Sequence, residues 1–177
     1  MKSVTIREIA KERKNLSFKA LSQHINLDTV KSISKLTEEQ AAKKAARDAE
    51  LKAVMEGTDD RFLLVIGPCS ADNEEAVLEY ARRLAKLQEE VKDKIFIVQR
   101  VYTNKPRTNG DGYKGLLHQQ DPSGEINLVR GMVAVRKMHK RVLTETGLTT
   151  ADEMLNPENL EFIDFGSGFK VPYKKDD

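Results

Sequence analysis

Phe62-Leu63-Leu64-Val65-Ile66 is five apolar residues without a break, entered from the charged Asp59-Asp60-Arg61 and closed by Gly67-Pro68. A run of that length with no polar alternation predicts a strand buried on both faces, the habit of parallel sheets. A second such run, Ile95-Phe96-Ile97-Val98, follows a segment in which Val77, Tyr80, Ala81, Leu84, Leu87 and Val91 recur at helical spacing. That segment opens on a cap-like start at Asp72 to Glu75, so the order is strand, helix, strand.

The same logic extends outward. Upstream, Thr37-Glu38-Glu39-Gln40 is a capping box, in which the threonine hydroxyl accepts from an orphan amide and the glutamine reaches back, and it predicts a helix over 38–56 stopped by Gly57. Ala42, Ala45, Ala46, Ala49 and Ala53 give that helix a small face suited to close packing, with its Lys and Arg positions turned to water. Residues 1–36 carry apolar residues scattered among charges and predict an extension with no single clear element. Downstream, a polar, Gly-rich loop over 102–126 leads to a helix over 127–145 marked by Val129, Met132, Val133, Arg136 and Val142, with Gly147 as its stop. A third strand is expected over 148–155, and Asn156-Pro157 then starts another helix through Leu160, Phe162 and Ile163. Alternating strands and helices point to a doubly wound sheet or a (β/α)8 barrel.

Composition narrows the classes. With 177 residues, 39% apolar and 33% charged, the chain is globular in character and long enough for one domain with a core. Thirty basic against 28 acidic residues leave a net charge of +2, which does not suit a nucleic-acid surface. The single cysteine forms no intramolecular disulfide, there is no signal-type apolar core near Met1, and no apolar run approaches the roughly 20 residues that span a bilayer. The expected compartment is the cytoplasm, with neither nucleic acid nor membrane as partner.

In both candidate architectures functional groups gather at the carboxyl ends of the strands. Those ends carry Gly67-Pro68-Cys69-Ser70, Arg100-Val101-Tyr102 and Asp152-Glu153. A lone cysteine is more often an inert buried residue than a ligand, and its place after Gly-Pro at a strand end raises the weight of the ligand reading of Cys69 without settling it. Arg100 is either an ion-paired rim arginine or an anion clamp. Lys105-Pro106-Arg107-Thr108 sets two cations and a hydroxyl around a stiffening proline, and Asn109-Gly110-Asp111-Gly112 follows. Such a loop is a solvated turn or a phosphate cradle, and three basic groups within eight positions suit phosphate.

Taken in order, Ile66-Gly67-Pro68-Cys69-Ser70, Arg100-Val101-Tyr102, Lys105-Pro106-Arg107-Thr108, Gly112-Tyr113-Lys114-Gly115-Leu116 and Thr150-Ala151-Asp152-Glu153 resemble the consecutive signatures of type I DAHP synthase (3-deoxy-7-phosphoheptulonate synthase). The resemblance is strongest over 60–164 and looser back to Thr37. Barrel relatives that add phosphoenolpyruvate to a longer sugar phosphate share the Gly-Pro-Cys strand end, but they differ at Lys105-Pro106-Arg107-Thr108. The resemblance implies a (β/α)8 TIM barrel and a metal-dependent transferase that condenses phosphoenolpyruvate with erythrose 4-phosphate. That reaction is the first step of the shikimate pathway to the aromatic amino acids. It further implies Cys69 as one ligand of a divalent metal of the Mn, Fe or Co type. Arg100 and Lys105 are then phosphoenolpyruvate ligands, with Lys105 also assisting proton transfer. Pro106, Arg107 and Thr108 hold erythrose 4-phosphate, Lys114 plays a supporting role, and Glu153 lies near the phosphoenolpyruvate. Family members are homo-oligomers, with arms like residues 1–36 contributing to oligomer contacts and feedback sites.

A barrel of this class takes about 250 residues, whereas three strands are read here. The expectation is an N-terminal arm over 1–36, an incomplete barrel over 37–164, and a polar tail over 165–177 with no family resemblance, as a frameshift or premature stop would leave. The other metal ligands, a His, a Glu and an Asp, would lie on later strands, and neither His118 nor His139 is their counterpart. On this reading the chain is inactive alone and its metal site incomplete. The alternatives are a non-catalytic fragment that associates with full-length subunits, or a product with no role.

Overall fold

A computed structural model describes residues 27–105 and 111–153. The arm up to residue 26, Pro106, Arg107, Thr108, the helix expected from Asn156 and the tail lie outside the described residues. The elements, in chain order, are α1 (Leu27–Ile33), α2 (Glu38–Met55), β1 (Phe62–Ile66), α3 (Glu74–Val91), β2 (Ile95–Arg100), α4 (Leu128–Thr146) and β3 (Thr150–Ala151). The three strands form one parallel sheet in the order β1-β2-β3, with Leu64 opposite Ile97 and Gln99 opposite Thr150.

The helix boundaries follow their caps. Thr37 accepts from the Gln40 amide at 3.2 Å while the Gln40 side chain accepts from the Thr37 amide at 3.0 Å, so two orphan donors are satisfied reciprocally. Asn73 and Asn127 cap α3 and α4 through side-chain oxygens that accept from Ala76 and Arg130 amides, each at 3.0 Å. The cap of α3 is therefore Asn73, inside the window expected at Asp72 to Glu75. Gly147 ends α4 at φ 75°, a left-handed conformation for which a glycine carries no Cβ penalty.

One face of the sheet is covered by α3 and α4, whose Val77, Leu78, Ala81, Val135, Met138 and Val142 close over Ile97 and Val101. The other face is covered by α2, through Leu51 and Val54 against Leu63, Phe96 and Val98. Here the expected orientation of α2 is reversed. Ala42, Ala45, Ala46 and Ala49 are exposed, and Arg47 is turned inward instead. Its guanidinium lies 3.9 Å from the Phe96 ring centroid and donates to the Ile97 carbonyl at 2.7 Å. The sheet supplies the reason. On the side of β2 that faces β3, Gln99 N–H reaches Thr149 O at 3.1 Å and Val101 N–H reaches Ala151 O at 2.8 Å. The two-residue β3 reaches no lower, leaving Ile95 and Ile97 to find other partners. Gln88, buried on α3, donates to Ile95 O at 2.8 Å and accepts from Ile97 N–H at 2.7 Å, and Arg47 takes Ile97 O. Buried backbone groups must be paired, and two polar helix residues stand in for the missing ladder.

Other expectations are also corrected. β1 is not buried on both faces: it is an edge strand, with Phe62 67%, Val65 39% and Ile66 37% exposed, because no described strand lies beyond it. β3 is shorter than the run 148–155, since residues 148 and 149 lead into it and Asp152 and Glu153 have already left it. On α3 Leu87 is exposed, while Leu78 and Gln88 are buried. The arm contributes a helix after all, α1, which packs on α4 and receives a hydrogen bond from Arg136 to Lys31 O at 3.4 Å, while Lys140 donates to Lys35 O, just beyond the helix, at 2.5 Å.

Candidate functional site at the strand ends

The three strands end on the same side because they are parallel, and their last residues meet. Gly67 lies so close to β2 that a Cβ on it would sit 1.9 Å from the Arg100 carbonyl oxygen, an approach open to glycine alone. Ala71 N–H then donates to Tyr102 O at 2.9 Å, holding the loop after β1 against the loop after β2.

Four expected site residues come together on this platform. Arg100 donates from Nη1 to Glu153 Oε1 at 2.8 Å and from Nη2 to Pro68 O at 3.0 Å, joining all three strand ends. Lys105 Nζ is 3.1 Å from Cys69 Sγ. Between the cations lies Tyr102, with Arg100 at 5.2 Å and Lys105 at 4.4 Å from its ring centroid. Burial pushes the Tyr102 hydroxyl up, and the Glu153 carboxylate beside it adds to the shift, so the phenol stays protonated at neutral pH. Arg100 Nε and Ser70 Oγ are buried with no hydrogen-bond partner. Each such group carries an unmet desolvation cost of about 1–3 kcal/mol.

Lys114 supports the site through its backbone: its carbonyl accepts from Lys105 N–H at 3.0 Å, and its own N–H donates to Gln119 Oε1 at 3.3 Å. Gly115, at φ 93°, lets this strap pass Thr103, whose carbonyl would meet an added Cβ at 2.4 Å. Next to Lys114 in sequence, Tyr113 has its hydroxyl pushed up to about 12 by burial and the nearby Asp72 charge. His118, partly buried in the same loop, is held below its ordinary pKa by burial and by Lys114. His139 is fully buried on α4 with Nδ1 2.7 Å from Thr150 Oγ1, while its Nε2 is buried with no hydrogen-bond partner. Among the described residues no three His, Cys, Asp or Glu side chains converge. A metal centre therefore does not fit the described residues by themselves, and Cys69 is a single soft donor there. Pro106, Arg107 and Thr108 are outside the described residues. Sequence reasoning gave no role to Tyr102 or Thr103; the signal for Tyr102 was an aromatic between two cations at a strand end.

The sequence pattern of the DAHP synthetase I family matches residues 11–166. The chain belongs to the DAHP synthetase I family. The match begins well inside the arm, further toward the N-terminus than the motifs alone reach. The chain is 35% identical over 136 residues to the Tyr-sensitive phospho-2-dehydro-3-deoxyheptonate aldolase of Escherichia coli, covering 77% of this chain and 38% of that protein. It is 39% identical over 120 residues to the Phe-sensitive enzyme of the same organism, covering 68% and 34%. A solved structure of phospho-2-dehydro-3-deoxyheptonate aldolase from Francisella tularensis superposes with a TM-score of 0.71 at 28% identity, covering 78% of this chain and 40% of that one. This family member thus spans roughly a third to two fifths of the length of these relatives. No helix among its described residues is long and apolar enough to cross a membrane.

Proposed function

We propose that the strand ends form the phosphoenolpyruvate half of a DAHP synthase site, serving the condensation of phosphoenolpyruvate with erythrose 4-phosphate in aromatic biosynthesis. In this reading the sheet is the first three strands of a TIM barrel. The observation that carries it is the convergence of Arg100, Lys105 and Glu153 on Tyr102 beside Cys69. Arg100 exchanges its Glu153 contact for a phosphate or carboxylate oxygen, and its orphaned Nε finds an acceptor in the same anion. Lys105 supplies a second cation and assists proton transfer, the aldehyde oxygen taking up a proton as it becomes a hydroxyl. Carbon 3 of phosphoenolpyruvate attacks the aldehyde carbon, water adds at carbon 2, and phosphate leaves. Pro106, Arg107 and Thr108 hold the erythrose 4-phosphate, and Lys114 braces Lys105 through its carbonyl. Cys69 would offer one thiolate to a divalent ion whose other donors are not among the described residues.

Titration calorimetry with phosphoenolpyruvate tests the reading, alongside the condensation assay followed by loss of enolpyruvate absorbance. Arg100→Ala and Lys105→Ala should each weaken binding about 10- to 100-fold, as loss of a charge-assisted hydrogen bond of about 1.5–3 kcal/mol predicts. Unchanged affinity in both variants would rule the site out.

A second reading, a subunit-binding fragment, is favoured by the exposed edge at Phe62, Val65 and Ile66. Size-exclusion chromatography with the full-length Tyr-sensitive enzyme should then give a mixed species that Val65→Lys disperses. Separate elution would eliminate this reading.

A further inference from the structure

Asp152 follows directly on the third strand, next to Glu153, yet the roles above leave it unused. Its side chain is 2% exposed and fully engaged. Oδ1 accepts from Thr103 N–H at 3.1 Å and from Glu153 N–H at 2.8 Å, and Oδ2 accepts the Thr103 hydroxyl. Behind it His139 Nε2 stands 3.6 Å from Oδ2, with the ring fixed through Thr150. The last ladder bond between β2 and β3 is Val101 N–H to Ala151 O, so beyond that point Asp152 carries the connection. Its two amide partners sit on the chain segments that matter. Thr103 is two residues before Lys105, and Glu153 is the residue that pairs with Arg100.

We propose that Asp152 is a positioning residue, which sets Lys105 over Tyr102 and Glu153 against Arg100, with His139 as its buried support. The carboxylate does so by holding two backbone amides and one hydroxyl at fixed separation, so that the loop after β2 and the tip of β3 move together. Thr103 is also gripped from behind, since its carbonyl accepts from Leu117 N–H at 3.0 Å, and Lys105 N–H is held by Lys114 O. With the backbone fixed on both flanks, the Lys105 side chain leaves the loop toward Cys69 and the Tyr102 ring. Loss of the Asp152 contacts frees one flank, and the lysine tip swings. The consequence for phosphoenolpyruvate rests on the function proposed above, whereas the geometry does not.

The test uses the full chain labelled with carbon-13 at the lysine ε-carbon. Lys105 Nζ lies 4.4 Å from the Tyr102 centroid, so its ε-methylene should resonate upfield of the other lysines by ring-current shielding, and Lys105→Arg assigns the signal by deleting it. Asp152→Ala should return that signal most of the way to the bulk lysine position, and Asp152→Asn, which keeps an acceptor for the two amides, should restore much of the displacement. Should Asp152→Ala fail to fold, the pair Thr103→Val and Thr103→Ser serves instead, with displacement lost in the first and kept in the second. A merely structural role would lower the melting temperature and leave the Lys105 signal in place below it. An unmoved signal in a folded Asp152→Ala or Thr103→Val protein overturns the proposal, and so does a parent protein with no displaced lysine. Phosphoenolpyruvate is then titrated into the same parent sample. Displacement that depends on Asp152 but does not respond to phosphoenolpyruvate leaves the positioning role standing and removes the functional reading.

Discussion

Gly131→Ala is expected to destabilise the chain by about 3 kcal/mol or more, read as a lowered urea midpoint at unchanged slope. On helix propensity alone the change would stabilise, since alanine is better than glycine in a helix interior by about 1 kcal/mol. Space decides otherwise. A Cβ at this position on α4 would lie 1.6 Å from the Leu117 carbonyl oxygen and 2.4 Å from its carbon, both backbone atoms that cannot rotate away. Relief requires α4 to lift from the loop, which opens the cluster of Leu117, Val129, Met132 and Val135. Gly57→Ala is the control. Gly57 has φ 71° with nothing within 4 Å of its Cβ position, so its cost is conformational strain alone, about 1–2 kcal/mol. Equal losses at the two sites would mean that α4 does not press on the loop as described.

That contact also shows where sequence reading stopped. The capping box at Thr37, the stop at Gly147 and the two apolar strands are local signals, carried by residues adjacent in the chain, and each appears in the structure. The faces of α2 were misread because hydrophobicity alone assigns alanine inward and arginine outward, whereas the vacant flank of β2 needed a long donor at Ile97. β1 was misread for a related reason: an unbroken apolar run reports what a strand is suited to, and its neighbours decide what covers it. The candidate site was legible as residue types at strand ends. Its wiring was not, because the bonds of Asp152 to Thr103 and of Lys105 to Cys69 join positions 49 and 36 residues apart.

Gly67→Ala couples fold to site most directly. Gly67 has no left-handed φ to preserve, so alanine meets no backbone penalty there, and the whole effect comes from a Cβ that would sit 1.9 Å from Arg100 O. β1 is an edge strand and can yield, so the loss of stability should be about 1–3 kcal/mol, below that at Gly131. Yielding, however, separates the tips of β1 and β2. The Pro68 carbonyl then leaves Arg100 Nη2 and Cys69 leaves Lys105, pairs now at 3.0 and 3.1 Å. On the function proposed above, phosphoenolpyruvate affinity should fall tenfold or more, about 1.4 kcal/mol, even though neither Arg100 nor Lys105 has been removed. Lys105→Ala makes the contrast, because a partly exposed lysine at a strand end contributes little to stability and should lose affinity without a matching fall in the urea midpoint. If Gly67→Ala costs stability but binds phosphoenolpyruvate as the parent does, the spacing of the β1 and β2 tips does not set the site. If both fall together, the close approach at Gly67 is what allows Arg100 and Lys105 to face the same anion.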